Sequence, residues 1–411
     1  MNIRRIILIT LFVLFVIGAM VAIYFVFFKP VTTPGPNANQ NVNGGTLPST
    51  NVNVNRPSGT NANIPVSNTN GTGGIGTTNV NASSIANGGL TQVHTIVGTN
   101  AQNVKLLPSG NSLRYYDAAS GTFYETNLNG TDKHQLASQL FPDAQDITWS
   151  ADGNKAAITF PDGSSIVYDF NAQRQYKLPD DTEDYSFDPS GNQLAYKYVP
   201  SNVEDRYIVV SNIDGSGLKF IEPIGDQAAN VDINWSPNSD VVATFHKSVD
   251  AGSQEVYFIG TNKENYKSAM TEGRGFTGAY SQSGEQMIYS VYSSETNYNP
   301  ELYIMNASGD AIGSGRTDLG LKTWPDKCTF SGSNLYCAVP QFLSPGSGLY
   351  PDQSSSSSDN FYYINSLTGT KELLATPNVP VSAKNLYISP DGSRLYFTNT
   401  NTGALESVQL P

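Results

Sequence analysis

A block of about a dozen residues with a tight turn at its centre recurs seven times between residues 100 and 400. Repetition of that kind restricts a chain to architectures built from one stacked unit. The best-formed copy is Asp146-Ile-Thr-Trp-Ser-Ala-Asp-Gly-Asn-Lys-Ala-Ala-Ile-Thr-Phe160. It reads as a short strand, an Asp-Gly turn and a second strand of apolar residues. With the residue after the turn's Asp, Ser or Asn as an anchor, the copies align without gaps at Gly110, Gly153, Gly191, Ser239, Gly284, Gly332 and Gly392. Three residues on stand Leu113, Ala156, Leu194, Val242, Met287, Leu335 and Leu395, and five on stand Tyr115, Ile158, Tyr196, Thr244, Tyr289, Cys337 and Phe397. Alternate positions of a strand share one face, so both sets belong to one buried face. Four residues before the anchors stand Leu106, Trp149, Phe187, Trp235, Tyr280, Cys328 and Ile388.

Each hairpin leads into a third β-rich segment, such as Ser165-Ile-Val-Tyr, Leu302-Tyr-Ile-Met or Phe361-Tyr-Tyr-Ile, and then a weaker fourth. Four strands per unit, at anchor spacings mostly of 38 to 48 residues, predict an all-β, seven-bladed β-propeller, with six or eight blades as alternatives. The last unit ends at its third strand, Ala404 to Leu410, while Gln92 to Val97 precede the first unit without one of their own. The N-terminal segment is therefore expected to supply the missing outer strand and close the ring, which removes exposed sheet edges.

The repeats, best seen in Trp235-Ser-Pro-Asn, Ile388-Ser-Pro-Asp-Gly392 and Trp149-Ser-Ala-Asp-Gly153, resemble the TolB-like, or WD40-like PD40, propeller repeat over residues 91–411. The propellers that precede peptidase domains in the prolyl-oligopeptidase group look similar. The resemblance implies a protein-interaction platform, often in the cell envelope. The chain departs from TolB itself in its N-terminal region.

That region divides in two. Ile6 to Phe28 carries no charged side chain and, at about 1.5 Å per residue, spans roughly 35 Å, enough to cross a bilayer core. No small-x-small cleavage site follows, so residues 1–30 read as an uncleaved transmembrane signal anchor. Arg4 and Arg5 precede the span, which places the N-terminus in the cytoplasm and the rest outside the cytoplasmic membrane. Residues 31–90 are Asn, Thr, Gly, Pro and Val with Arg56 as the only charge. They bury too little apolar surface to fold and read as a flexible linker with a reach of about 40–45 Å. The net charge of −12 argues against nucleic-acid binding.

Several residues are candidates for chemistry. Cys328 and Cys337 are the only cysteines; they should oppose one another across a hairpin and form a disulfide, which the extracytoplasmic side permits. His94, His134 and His246 share no motif, and no nucleophile elbow, zincin or phosphate-loop signature occurs. Seven residues before the anchors, where the innermost strands begin, stand Asn103, Asp146, Asp184, Asp232, Thr277, Pro325 and Asn385. Asp146, Asp184 and Asp232, with Asp181 and Glu183 nearby, form an acidic crescent at one channel mouth. It would attract a Lys- or Arg-bearing partner or hold a cation such as Ca2+; alternatively these carboxylates cap backbone N–H groups in the connecting loops. No other cofactor is expected. The long loops between second and third strands fall on the same face, above all Pro340 to Asn360 with Phe342 and Tyr350. The expected function is non-catalytic binding of an envelope protein, peptide or glycan. The alternatives are a hydrolase or lyase with its site in the channel mouth, and a sensor or scaffold subunit of a membrane assembly.

Overall fold

The computed structural model describes residues 81–98, 100–262, 267–351 and 357–411. The expected membrane span and residues 31–80 of the expected linker lie outside the described residues. Among the described residues no helix is long and apolar enough to cross a membrane.

Seven antiparallel sheets follow one another as a seven-bladed propeller. The first strand of each sheet contacts the first strand of a neighbour around most of the ring, which places these strands innermost. They run Ala101–Leu106, Asp146–Trp149, Thr182–Phe187, Val231–Ile233, Arg274–Tyr280, Cys328–Ser331 and Ala383–Ile388 in blades 1 to 7. Because each sheet is a meander, the starts of the innermost strands and the loops between second and third strands share one face, here called the top.

Closure follows the expected route. His94–Val97 pairs antiparallel with Ala404–Gln409 and becomes the outer strand of blade 7. Described residues before 91, where the propeller-like sequence begins, also join the sheets. Leu90–Thr91 adds a fifth, parallel strand to blade 6. Ala86 is fully buried against blades 6 and 7, and its N–H donates to Gln409 O. A polar, glycine-rich stretch gives no pattern to reveal this strap, which is held by backbone hydrogen bonds and one small side chain.

Packing lies between blades. Phe123 of blade 1 meets Phe141, Trp149 and Phe170 edge to face at centroid distances of 5.0 to 5.3 Å. Each of the buried phenylalanines contributes about 1.5–3 kcal/mol by removal from water, and the T-shaped contacts add to that. Trp149 Nε1 donates to Asn103 O in the preceding blade, so the ring both fills and ties the gap.

The gapless alignment fails in blade 6. In blades 1, 2, 3, 5 and 7 the residue four before the anchor pairs with the one three after it, as in Trp149 with Ala156, Phe187 with Leu194 and Ile388 with Leu395. In blade 6 the partner of Leu335 is Phe330, because Ser331 faces Asn334 across a turn two residues shorter. Phe330, not Cys328, is thus the counterpart of Trp149. The disulfide between Cys328 and Cys337 forms as expected, with Cα atoms 4.1 Å apart as suits a non-hydrogen-bonded pair. It occupies the place of the Ile147 and Ile158 pair. By the same correction Lys327, not Pro325, is blade 6's member of the ring at the channel mouth.

Candidate functional site

The residues at that mouth divide by backbone before they divide by charge. Asn103, Asp184 and Asn385 have φ of 48°, 57° and 53° and sit where the register of the innermost strand slips. A bulge of this kind needs a left-handed residue, and Asn and Asp accept that conformation more readily than other non-glycine residues. The side chains of Asn103 and Asp184 then cross to the next blade. Asn103 Nδ2 donates to Ile147 O at 2.8 Å, and Asp184 Oδ2 accepts from Ile233 N–H at 2.9 Å. Asp184 thus caps a backbone N–H, though one in the innermost strand of blade 4 and not in a connecting loop.

Asp184 is also paired. Lys197, at the end of blade 3's second strand, is buried and places Nζ 3.2 Å from Asp184 Oδ2 and 3.9 Å from Glu183 Oε1. The same ammonium donates to Val231 O at 2.8 Å and Ala228 O at 3.3 Å in blade 4. The crescent therefore carries its own cation, and Asp146 and Asp232 are the carboxylates that remain for a partner. Burial, a hydrogen bond from Ile147 N–H and the charge of Asp184 act on Asp146, and its carboxyl lies above the ordinary value. Burial first, then Asp184, against Lys197, pushes Asp232 up to about 6. Among the described residues no group of three or more His, Cys, Asp and Glu side chains is placed to hold a metal ion. The geometry thus does not assemble Asp146, Asp184 and Asp232 into the Ca2+ site the sequence suggested.

Asp181 stays apart. Its φ is 60°, its carbonyl accepts from Val199 N–H, and its side chain is exposed beside the crescent. His246 joins the group instead, which its isolation in sequence did not signal. Its Nε2 lies 3.0 Å from Thr244 Oγ1 and 3.5 Å from Asp232 Oδ2, and its ring packs on Phe276. Burial, then Lys197, lowers its pKa to about 4. One nitrogen facing both neighbours is not a catalytic relay, where one ring nitrogen takes the nucleophile's proton and the other is held by the carboxylate. Thr244 is moreover buried.

The other half of the top face has different chemistry. The long loop of blade 6 lies on that of blade 5: Gly346 N–H donates to Asn297 O at 2.8 Å and Gly348 N–H to Tyr298 O at 2.7 Å. Asn297 and Tyr298 have φ of 55° and 57°, strain that persists only where the surroundings enforce it. Phe342, Tyr350, Leu349 and Tyr298 are exposed there. A cleft of about 320 Å³, to which Pro351 next to Tyr350 contributes, opens between blades 5, 6 and 7. Trp324, Pro325, Pro351 and Ala279 supply apolar lining, and the Asp326 and Lys384 side chains also line it, paired at 3.0 Å. It contains no histidine.

Fold and site together define a seven-bladed β-propeller with an acid-rimmed channel mouth and an aromatic loop ridge on one face. The described chain is similar to the β-propeller domain of Cps50 (Swd1) from Myceliophteria thermophila, at 12% identity over 78% of this chain and 100% of that one, with a TM-score of 0.52. Tricorn protease is similar at 11% identity over 77% and 34% of the two chains, TM-score 0.50. An oligogalacturonate lyase in complex with manganese matches at 14% identity over 78% and 93%, TM-score 0.49. At these identities the likeness concerns the fold alone. No family model and no curated protein matches the sequence.

Proposed function

We propose that this chain is a membrane-anchored, extracytoplasmic propeller that binds an envelope protein, peptide or glycan without catalysis, as a TolB-like platform would. The span Ile6 to Phe28 anchors it with the N-terminus in the cytoplasm, and the linker from residue 31 lets the propeller stand off the membrane. The disulfide supports the outside location, since such bonds persist in oxidising compartments. The observation that carries the binding reading is the locking of the two long top loops onto each other, with exposed aromatic residues on a rigid ring beside a cleft. Asp146 and Asp232 add attraction for cationic groups of a partner.

The test uses the full chain, tagged and solubilised from membranes, immobilised and exposed to envelope extract. Retention of envelope material by the wild type, reduced in Asp146→Asn/Asp232→Asn, is the expected outcome. Equal retention by the variant removes the crescent from the reading, and no retention by the wild type overturns the platform itself. Protease added to intact cells should digest the propeller but not the N-terminal tip.

A further inference from the structure

The long loop of blade 6 on the top face differs from the rest of this acidic protein in charge. From Pro340 to Pro351 there is no charged residue, in a chain with a net charge of −12. What this stretch and its partner loop offer is aromatic surface, Phe342, Tyr350 and Tyr298, among Ser, Asn and Gln, with Glu295 of the partner loop as the one charged side chain of the two. Pro351, next to Tyr350, lines the cleft with Trp324 and Pro325, so ridge and cleft are continuous along the chain. We propose that this cleft and ridge bind an uncharged polysaccharide, one sugar unit entering between Trp324, Pro325 and Pro351 while the chain runs over the aromatic ridge. This inference rests on the platform reading above and names its ligand class.

Three physical points select a neutral glycan. Aromatic faces carry negative charge density and attract the weakly positive C–H faces of a sugar ring, with low entropy cost because the rings are rigid. The polar pair in the cleft, Asp326 Oδ2 and Lys384 Nζ at 3.0 Å, is already neutral as a unit. Adjacent hydroxyls can donate to the carboxylate and accept from the ammonium together, whereas a charged ligand would have to break the pair and leave one charge uncompensated. The ridge is also pre-organised: a Cβ at Gly348 would lie 2.8 Å from Tyr292 Cβ and from Tyr298 O, so the loops meet backbone to backbone and little ordering remains to be done on binding. The cleft volume, 320 Å³, lies at the lower end of the range for small-ligand sites, about 300–1,000 Å³.

The full chain in detergent is immobilised and exposed to envelope extract in three forms: untreated, protease-digested, and oxidised with periodate, which cleaves vicinal diols. In parallel it is titrated with neutral hexasaccharides of β-1,4-glucose, α-1,4-glucose, mannose and N-acetylglucosamine, with hexagalacturonate as the anionic control. The proposal expects retention that survives protease and is lost on periodate treatment, and binding of at least one neutral hexasaccharide in preference to hexagalacturonate. It also expects affinity about tenfold weaker in Tyr350→Ala and Phe342→Ala and restored in Tyr350→Trp, with the melting temperature unchanged in Phe342→Ala, whose side chain is 70% exposed. Retention abolished by protease and insensitive to periodate overturns the glycan assignment while leaving the platform standing. Failure of all neutral hexasaccharides, or equal affinity of the alanine variants, overturns it as well. No retention from any extract overturns both readings.

Discussion

Lys327 Nζ lies 2.8 Å from a carboxylate oxygen of Asp359, with 3% and 0% of the two side chains exposed. Asp359 also accepts from Ala383 N–H at 2.6 Å, and Lys327 donates to Ala383 O at 2.9 Å, so one pair clasps blade 6 to blade 7 at both backbone atoms of one residue. Lys197 makes the corresponding bridge from blade 3 to Val231 of blade 4. At both junctions a buried lysine pairs with a carboxylate and donates to a backbone carbonyl of the next blade.

Breaking such a pair from one side strands a buried charge, at a cost of about 3–5 kcal/mol. Lys327→Met and Asp359→Asn should each lower the urea midpoint accordingly, and Lys327→Met/Asp359→Leu should lose less than either single change. Burial holds the Asp359 carboxyl above its ordinary value against the pull of Lys327. Without Lys327 the folded state favours the protonated acid still more, so Lys327→Met should regain stability as pH falls. A double variant less stable than both singles would show that the pair is net stabilising rather than merely costly to split.

Asp232 and His246 titrate in opposite senses. Asp232, raised to about 6 from about 3.9, contributes stability that is full below its unfolded value and lost as pH rises through 6. His246, lowered to about 4 from about 6.5, contributes stability that is present above 6.5 and lost as pH falls toward 4. In the wild type the two slopes oppose one another between pH 4 and 6. Asp232→Asn should therefore melt lower as pH drops from 6.5 to 4, and His246→Gln should melt higher. Each slope is bounded by about 1.4 kcal/mol per pH unit for one proton, and solvent at the half-exposed Asp232 reduces its share. Parallel pH profiles in the two variants would refute this assignment.

The repeat was legible because apolar alternation and Asp-Gly turns are local signals, and they predicted seven blades, the closing strand and the Cys328–Cys337 bond. What escaped was set by neighbours in space. A turn two residues shorter in blade 6 hid Lys327 from the alignment, although Phe330 at an apolar position was a usable clue. Lys197 and His246 carry no signal in the sequence because their burial arises only when blades 3, 4 and 5 meet. Asp184 was conspicuous as a charge, yet its position is fixed by a left-handed bulge, which one-dimensional patterning does not distinguish from a binding carboxylate.

The disulfide closes a short loop, with a sequence separation of 9, and should stabilise by about 2–3 kcal/mol. Its site is apolar in blade 2, so Cys328→Val/Cys337→Val should fold with only that loss. Dithiothreitol should lower the wild-type melting temperature and leave the double variant where it is. Equal sensitivity of both proteins would place the effect elsewhere.

Ala86 has no exposed surface and packs with Ala338, Phe361 and Val408. A charge there would be buried without a partner, costing several kcal/mol. Ala86→Asp should detach the strap and uncover the edge strand Lys371–Pro377 of blade 6, while His94–Val97 still closes blade 7. The expected result is a lower melting temperature together with concentration-dependent association, since a bared edge pairs with other edges. A full chain carrying Ala86→Ser should behave as wild type. Loss of stability without association in Ala86→Asp would mean that the strap acts through core packing and not as an edge cover.

Gly348 tests whether the top loops are held by close approach. Alanine there would bring its Cβ within 2.8 Å of Tyr292 Cβ and the Tyr298 carbonyl oxygen, so one loop must move. Overpacking of this kind costs about 1–3 kcal/mol, and because the clamp joins two surface loops the loss should be local. Gly348→Ala should accelerate hydrogen exchange at the Gly346 and Gly348 amides, which donate across the clamp, and open the loop to proteolysis while the strands stay protected. Gly252→Ala, whose nearest contact is an ordinary 3.8 Å, is the control and should change neither. Unchanged exchange in Gly348→Ala would mean that the two loops are joined by their side chains, and that the backbone contact follows from that union instead of causing it.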